Sequence, residues 1–249
     1  MKILDNIKVI DLTLYFDSTL IISDVHIGYE EALNKKGIMI PRLQFGEMVQ
    51  KIEKIFDSVG KVDKIIINGD LKHEFGTISE QEWRNVLKFL DLLARHCNEV
   101  ILIKGNHDMI LGPIARKRNV KVVDYYIMES KNDKKNKPKS RILVIHGDKI
   151  PGKDVLQQVS TIIIGHEHPA LSLKDGARVE TFKCFLKGRY KGKNLIVLPS
   201  FNAIVGGTNI MRDKTLSPFL KQNLDDFEVF AVEDKIYDFG KLKNLREKI

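Results

Sequence analysis

The spacing of apolar residues in the first part of the chain predicts strands and a helix. Two apolar runs on either side of a turn at Asp17 and Ser18 predict paired strands over Leu12–Phe16 and Thr19–Ser23. Apolar residues then recur at helical spacing over Leu43–Val59. A glycine follows directly, and glycine is common just beyond the end of a helix.

A second helix is predicted between two further strands. Val62–Asn68 is a short apolar run of the kind expected for a buried strand. Ser79 and Glu82 have the spacing of a capping box, which places the start of the helix at Ser79. Val100–Ile103 is again apolar, so strands and helices alternate in the order that is typical of α/β proteins.

Short strands with little helix between them dominate the second half of the chain. We predict them over Val120–Val123, Tyr125–Met128, Ile142–Ile145, Thr161–Ile164, Thr181–Tyr190, Leu195–Leu198, Phe227–Val232 and Lys235–Phe239. No segment is long and polar enough to be a linker, so we expect a single domain over residues 1–249. The nearest candidate, Lys131–Ser140, has the length of a hairpin loop.

Composition excludes several classes of protein. The 249 residues are 43% hydrophobic and 30% charged, which excludes a disordered or fibrous chain. No stretch approaches the ~20 consecutive apolar residues of a membrane helix, and the first residues lack the apolar block of a signal peptide. Cys97 and Cys184 are too few for a disulfide scaffold, so we expect a cytoplasmic protein with reduced thiols and no membrane association.

The formal net charge of +8 has two interpretations. A basic surface suits anionic partners such as nucleic acid, but solvated lysines are also common on exposed loops. The basic residues are concentrated in residues 131–141 and 183–193, and we favour solvated loops at hairpin tips for both segments. Oligomeric state leaves no recognisable signal in the sequence.

Polar residues of the metal-ligating kinds follow five of the apolar strands. In chain order they form the motifs Asp24-Val25-His26, Gly69-Asp70, Gly105-Asn106-His107-Asp108, His146-Gly147-Asp148 and Gly165-His166-Glu167-His168. Ligands of open α/β sheets bind at the carboxyl ends of strands, so we expect these residues to meet at one edge. Residues two apart on an extended chain point the same way, so each Asp-x-His or His-x-His pair is expected to address one site.

The residue types predict the chemistry of this edge. Carboxylate, imidazole and amide oxygen without thiolate suit manganese, iron or zinc in a catalytic site and do not suit a structural zinc centre. Two acids, four histidines and one amide are too many ligands for one ion, and they suit two ions about 4 Å apart with one shared carboxylate. Such a pair lowers the pKa of a bridging water towards about 7 and neutralises phosphate oxygens. The sequence therefore predicts phosphoester hydrolysis with a metal-bridging hydroxide as the nucleophile.

In the order D-x-H, G-D, G-N-H-D, H and G-H-x-H, these motifs resemble the calcineurin-like metallophosphoesterase superfamily. The closer resemblance is to small archaeal phosphoesterases of the ICC-like type, related to the repair nuclease SbcD. It rests on Ser23–Glu30, Gly165–Pro169, Leu198–Asn202 and Gly206–Asn209. The C-terminal capping domain of the repair nuclease has no counterpart here. The resemblance implies an α/β fold of two packed mixed β-sheets flanked by helices, in four layers (αββα).

The resemblance also implies a role for each motif residue. Two divalent ions are implied, and we expect manganese, with iron, zinc or nickel as alternatives. Asp24, His26 and His168 are implied to hold the first metal, and Asp70 to bridge both. Asn106, His146 and His166 are implied to complete the second. His107 is implied to stabilise or protonate the leaving oxygen, and Asp108 to orient His107.

Three further residues are candidates for contact with the phosphoester substrate, namely Arg42, His73 and Asn202. The basic segments and the resemblance favour a phosphodiesterase whose substrate is a nucleic acid or nucleotide. A small-molecule phosphomonoesterase or nucleotide pyrophosphatase is the alternative. A non-catalytic scaffold or nucleic-acid-binding subunit is a more remote one, because such members of the superfamily typically lose a metal ligand or the catalytic histidine.

Overall fold

A computed structural model of the chain shows two mixed β-sheets packed face to face between helices. The structure describes residues 1–74, 79–108, 118–129, 141–176 and 178–246. The predicted loop Lys131–Ser140 lies outside these residues. Within the described residues, no helix is both long enough and apolar enough to cross a membrane.

The first sheet has its strands in chain order. They are β1 (Lys2–Leu4), β2 (Ile7–Ile10), β3 (Thr13–Phe16), β4 (Thr19–Ser23), β5 (Lys64–Asn68), β6 (Glu99–Ile103) and β7 (Lys121–Val123). The first four strands form an antiparallel meander, and β4 to β7 are parallel. Because β4, β5 and β6 are parallel neighbours, their carboxyl ends lie at the same edge of the sheet.

The second sheet is built around one long strand, β12. Its strands are β8 (Tyr125–Glu129), β9 (Arg141–Ile145), β10 (Thr161–Ile164), β11 (Pro169–Asp175), β12 (Arg178–Tyr190), β13 (Lys193–Val197), β14 (Thr208–Asn209), β15 (Glu228–Val232) and β16 (Ile236–Lys241). They run in the order β14-β11-β12-β13-β10-β9-β8, and β15 pairs with both β12 and β16. The central strands β9, β10 and β13 are parallel, so their carboxyl ends also share an edge.

Helices cover the outer faces of both sheets. They are α1 (Tyr29–Lys35), α2 (Gln44–Val59), α3 (Glu80–His96), α4 (Lys153–Gln157) and α5 (Leu242–Arg246), with a 3₁₀ turn at Pro218–Leu220. The apolar faces of α2 and α3 belong to the same core as the first sheet, with Ile52 and Phe89 fully buried. Leu156 of α4 and Leu242 of α5 belong to a second core on the outer side of the second sheet.

Alternate residues of the second sheet divide between these two cores. On β9, Ile142 and Val144 join the core between the sheets, whereas Leu143 and Ile145 join the outer core. The strand is therefore buried on both faces, which explains why it is a continuous apolar run rather than an alternating one.

Most predicted elements are present, and two predicted strands have the observed bounds. These are Thr19–Ser23 and Thr161–Ile164. Seven elements were not predicted from the sequence, namely β1, β2, β11, β14 and the short helices α1, α4 and α5. Helix α1 has only 7 residues, fewer than helical spacing needs to be recognised. Strand β11 begins with a proline and carries Ser172 and Lys174 among its apolar residues, which hides it.

The predicted solvated loop over residues 183–193 is wrong. These residues form most of β12, a tight turn and the start of β13. Lys183 is half-buried, and its ammonium group donates to the carbonyl of Val205 at 2.9 Å. Lys187 pairs with Glu228 at 2.8 Å. The lysines of this segment therefore secure the sheet to its neighbours, and their charge alone does not indicate an exposed loop.

The close packing of β12 predicts opposite outcomes for two Gly→Ala substitutions. A Cβ at Gly188 would lie 2.5 Å from the ring of Phe227, whereas one at Gly46 of α2 meets no atom within 4 Å. We expect Gly188→Ala to lower the free energy of unfolding by about 1–3 kcal/mol through overpacking. We expect Gly46→Ala to raise it by about 1 kcal/mol, because alanine favours helix. Urea titrations measure both; equal effects would contradict the packing described for Gly188.

The burial of Lys183 predicts a pH dependence of stability. Burial lowers the pKa of Lys183 to about 8, against an opposing contribution from the negative charge of Asp24. Between pH 8 and 10 the unfolded chain therefore holds this proton more tightly than the folded chain, and the contribution of Lys183 to stability rises with pH. Chemical unfolding of wild type and Lys183→Met at both pH values is the measurement. We expect wild type to gain stability relative to the variant at pH 10; a pH-independent difference would refute this.

Candidate metal centre

Strands of both sheets end beside one another and bring together the polar residues predicted to meet there. From the first sheet, β4 leads to Asp24 and His26, β5 to Asp70, and β6 to Asn106 and His107. From the second sheet, β9 leads to His146, and β10 to His166 and His168. The structure groups the carboxylates and histidines as Asp24 with His26 and His168, and Asp70 with His146 and His166. Within each group, the donor atoms all lie within 4.8 Å of one another.

Asp70 lies between the two groups. Its Oδ2 is 3.8 Å from Nε2 of His26 and 3.4 Å from Nε2 of His146. Nε2 of His146 is in turn 3.0 Å from Oδ1 of Asn106, which adds the amide to the second group. In the first group, Nε2 of His168 is 3.2 Å from Oδ1 of Asp24. This arrangement gives Asp70 the position that a carboxylate shared by two ions needs.

The predicted ligands meet at strand ends as expected, but the alternation expected within each motif is wrong, and His166 and His168 fall in different groups. Asp24, His26, Asp70, His166 and His168 all have positive φ angles, between 45° and 64°. They stand at sharp left-handed turns, so the alternation of an extended strand does not apply to them. Non-glycine residues in this region are uncommon, each costs of order 1–3 kcal/mol, and they tend to cluster at functional sites.

Two glycines at the strand ends leave the space that these side chains occupy. A Cβ at Gly165 would lie 1.9 Å from Oγ of Ser23 and 2.4 Å from Oδ2 of Asp24. A Cβ at Gly69 would lie 2.0 Å from Nδ1 of His146, and Gly69 also has a φ of 80°. The glycines of the G-D and G-H-x-H motifs are therefore required by close approach.

Within the described residues, the two carboxylates of the centre are buried without a lysine or arginine ion pair. Asp24 is 0% and Asp70 2% exposed. Among the described residues, neither forms an ion pair with a lysine or arginine; the groups facing them are histidines, backbone N–H groups and, for Asp24, the hydroxyl of Ser23. Burial opposes ionisation, yet the neighbouring histidines hold the pKa of both carboxyls below the ordinary value. Two buried negative charges with this environment suit a bound cation.

The pKa values of the histidines shift in opposite directions. Burial and the adjacent His168 lower the pKa of His26 to about 3, and burial also lowers that of His166. Neutral imidazole is the form that ligates a metal. Burial also lowers the pKa of His146. The Asp70 and Asp24 carboxylates have a larger effect in the other direction and raise that pKa to about 9.

Asp108 does not orient His107 in the way the resemblance implied. Its carboxylate accepts from the backbone N–H groups of Leu71 and Gly105, both at 3.1 Å. Burial and the negative charge of Asp70 raise the pKa of Asp108 to about 7. Nδ1 of His107 instead contacts the carbonyl oxygen of His73. Asp108 thus ties together the loops after β5 and β6, and the backbone of His73 orients the His107 ring.

His73, a predicted substrate contact, lies at the centre. Its ring stacks on His107 at 5.4 Å between centroids and meets the edge of Tyr29 at 4.7 Å. Together with His26 and His107 it forms a third group of imidazole donors. Arg42 is placed differently: its guanidinium pairs with Glu31 at 2.8 Å.

Asn202 is not available to a substrate. It is 0% exposed, and its amide nitrogen donates to the carbonyls of Val25 and His26 at 3.0 and 3.1 Å. Its oxygen accepts from the backbone N–H groups of Ile204 and Val205. Both N–H groups and both lone pairs of the side-chain amide are thereby used, so this side chain has no group left for the predicted substrate contact. Asn202 clamps the turn that carries His26.

Several residues outside the predicted set of ligands support the centre. Ser200 donates to the carbonyl of Asp24 at 2.7 Å. Glu167 accepts from the backbone of Ser217 at 2.8 Å, and the Ser217 hydroxyl donates to the carbonyl of Gly147. Glu82 completes only half of its predicted capping box: Ser79 accepts from its N–H, but its carboxylate accepts from the backbone of His73. The acid at a capping position was the available signal, but the capping-box pattern assigns its carboxylate to the start of its own helix and not to the loop nine residues earlier.

Comparisons with known proteins agree with this geometry. The profile of the calcineurin-like phosphoesterase family matches residues 18–226. Among solved structures, the nuclease MPE of Pseudomonas putida has 20% sequence identity and a TM-score of 0.59, with 92% of each chain covered. The likeness to MPE shows a shared fold. No curated protein sequence matches the chain.

Two further solved structures match with lower TM-scores. The phosphoesterase Yfce of E. coli has 13% identity and a TM-score of 0.42, covering 90% of this chain and 97% of its own. Vps29 of Entamoeba histolytica, solved in a complex with zinc, has 16% identity and a TM-score of 0.35, covering 89% and 91%.

The clamp formed by Asn202 predicts a loss of metal affinity on its removal. Asn202→Ala frees the carbonyls of Val25 and His26, so the turn that carries His26 is no longer held. We expect the Kd for Mn²⁺ to rise about tenfold or more, as for other residues that support ligands. Isothermal titration calorimetry measures it.

The matched control is Asn34→Ala. Asn34 also makes three hydrogen bonds to backbone groups, those of Glu30 and Ile40, in the α1 segment. We expect this variant to bind Mn²⁺ as wild type does. Equal affinities for wild type and Asn202→Ala would show that the clamp does not serve the centre.

Proposed function

Because the chain belongs to the calcineurin-like phosphoesterase family and is a metal-dependent phosphoesterase, we propose that it hydrolyses phosphodiesters at a centre of two divalent ions. The observation that carries the proposal is the position of Asp70 between two groups of donors, with the His107 ring beside it. A site with one ion would need only one of these groups.

The residues at the strand ends would hold the two ions. Asp24, His26 and His168 form one set, Asn106, His146 and His166 the other, and Asp70 is common to both. The oxygen and imidazole donors support manganese, with iron, zinc or nickel as alternatives. When bound, such ions activate water at neutral pH and neutralise charge on the phosphoryl oxygens.

His107 is proposed to act on the leaving group. Its Nε2 is 3.9 Å from Oδ2 of Asp70, so it faces the position between the two donor groups. Its backbone N–H donates to Oδ1 of Asp70 at 2.9 Å, and its Nδ1 contacts the His73 carbonyl. These contacts fix the ring and place a proton on Nδ1. When Nε2 is protonated as well, it can donate a hydrogen bond or a proton to the departing oxygen.

The charges around the centre favour a diester over a monoester. A phosphomonoester carries up to two negative charges at neutral pH, and its recognition commonly uses an arginine or lysine. Arg42 is paired with Glu31, and the fully buried Lys72 donates to the carbonyl of Glu74. The rings of His26 and His73 lie beside His107, and Tyr29 contacts the ring of His73. A diester, with one charge, suits this environment better.

Two narrower expectations are part of the same proposal. The motifs after β4 and β10 support a closer relationship to the ICC-like, SbcD-related phosphoesterases. Cys97 and Cys184 are both free thiols, which supports a cytoplasmic location.

The test compares a generic phosphodiester with the matching monoester. Metal-stripped protein is supplied with Mn²⁺, and the turnover of bis(p-nitrophenyl) phosphate and of p-nitrophenyl phosphate is measured. We expect the diester to be the better substrate. We expect His107→Ala to lower kcat for the diester about 10²- to 10⁴-fold, the usual worth of a general acid, while Mn²⁺ binding is retained.

His96→Ala is the matched control, because His96 stacks on Phe56 at the end of α3, next to the start of β6 and so away from its carboxyl end. It should leave both activities unchanged. Turnover of the monoester alone would replace the proposal with a small-molecule phosphatase. Bound Mn²⁺ without turnover of either compound would favour a pyrophosphatase or a scaffold.

A further inference from the structure

A basic groove lies beside the second sheet, outside the metal centre. It consists of two cavities of about 310 and 450 Å³, which share Arg246 of α5. One wall is strand β11 with the start of β12, and the other is the segment 210–224 that follows β14. No residue of this groove belongs to the donor groups of the centre.

The charge of the groove is strongly one-sided. Its lining includes five basic residues, Lys174, Arg212, Lys214, Lys221 and Arg246, against one acid, Asp213. Arg246 is engaged by Asp225 at 2.7 Å. Within the part of the chain that the structure describes, the other four form no ion pair, and all four are exposed. Four exposed cations along one groove attract an anionic partner with repeated charges.

Apolar side chains lie between these cations. Leu173 and Met211 are half-buried at the floor of the first cavity, and Val179 is 61% exposed beside them. A partner for this surface therefore combines negative charges with apolar faces. Single-stranded nucleic acid has both, because its phosphates alternate with unpaired bases.

The two chain segments that form the walls of the groove both begin next to His168 of the metal centre. His168 directly precedes β11, and its carbonyl accepts from Thr208 of β14 at 3.0 Å. From this point β11 leads to Leu173 and Lys174, and the chain after β14 leads to Met211 and Arg212. Strands rise about 3.4 Å per residue, so Leu173 is about 17 Å from His168 along β11. Several stacked nucleotides, at about 3.4 Å each, span this distance.

We propose that this groove binds the backbone of a single-stranded nucleic acid while one of its phosphodiester bonds lies at the metal centre. The proposal rests on the proposed phosphodiesterase function and names its substrate class. Lys174 and Arg212 contact phosphates, and Leu173 and Met211 contact bases. The bases of a duplex are stacked inside it, so they cannot contact the apolar side chains of Leu173 and Met211. An acidic protein segment would pair with the basic side chains, but it would leave the apolar side chains between them without a partner.

The first experiment measures binding without metal, so that its readout does not depend on turnover. A fluorescent oligo-dT strand of about 20 nucleotides, longer than the usual site of about 4–16, is titrated with metal-stripped protein at several salt concentrations. The double variant Lys174→Ala with Arg212→Ala is compared with the double variant Lys54→Ala with Lys88→Ala. The control removes the same charge from exposed positions on α2 and α3.

We expect the groove variant to reduce the slope of log K against log salt by about 1.4, since each phosphate contact to a single strand contributes about 0.7. With Mn²⁺ present, we expect kcat/KM for the strand to fall on the order of tenfold. Hydrolysis of bis(p-nitrophenyl) phosphate should remain as in wild type, because this small diester does not reach the groove. The control variant should match wild type in all three measurements.

The outcomes separate this proposal from the function on which it rests. Failure of wild type to bind the strand, or equal slopes for the groove and control variants, overturns the groove. Stronger displacement of the strand by poly-glutamate than by a second oligonucleotide also overturns it, in favour of an acidic protein partner. Failure to hydrolyse the small diester refutes the phosphodiesterase function, and metal-free binding then still decides whether the groove binds nucleic acid.

Discussion

The structure depends on keeping two carboxylates buried and charged where two sheets meet. Asp24 and Asp70 are almost completely excluded from solvent, and histidines, backbone N–H groups and a serine hydroxyl lie within bonding distance of them. An isolated buried charge is costly, so the surrounding chain has to compensate for it. The left-handed turns and the close glycines bring the compensating groups next to these carboxylates.

The side chains behind the centre make defined hydrogen bonds to the backbone of the turns that carry the ligands. Ser200 and Asn202 hold the backbone around Asp24 and His26, and Glu167 with Ser217 holds the backbone beside His146. These contacts are made mainly to peptide groups. They fix the positions of turns, and the turns fix the positions of side chains. The loss of such a contact therefore moves a ligand without altering its chemistry.

The sequence was sufficient for the parts of the fold and site that follow from short-range patterns. Strand ends such as Asp24 and His146 were found because an apolar run stops at a polar residue. The positions of Asn202 and Lys183 could not be predicted, since both depend on partners that are distant along the chain, as with the bond from Lys183 to Val205. The orientation of His107 depends on a carbonyl oxygen, which is present in every residue and leaves no signal in a sequence.

The metal centre draws its donors from both sheets in almost equal number. Asp24, His26, Asp70 and Asn106 come from the first sheet, and His146, His166 and His168 from the second. A cation held by both sets would be a cross-link between two layers that otherwise adhere through apolar packing. The free energy of binding the ion would then also stabilise the two sheets against separation. Selection for a tightly held cofactor in this architecture is also selection for a closed sandwich.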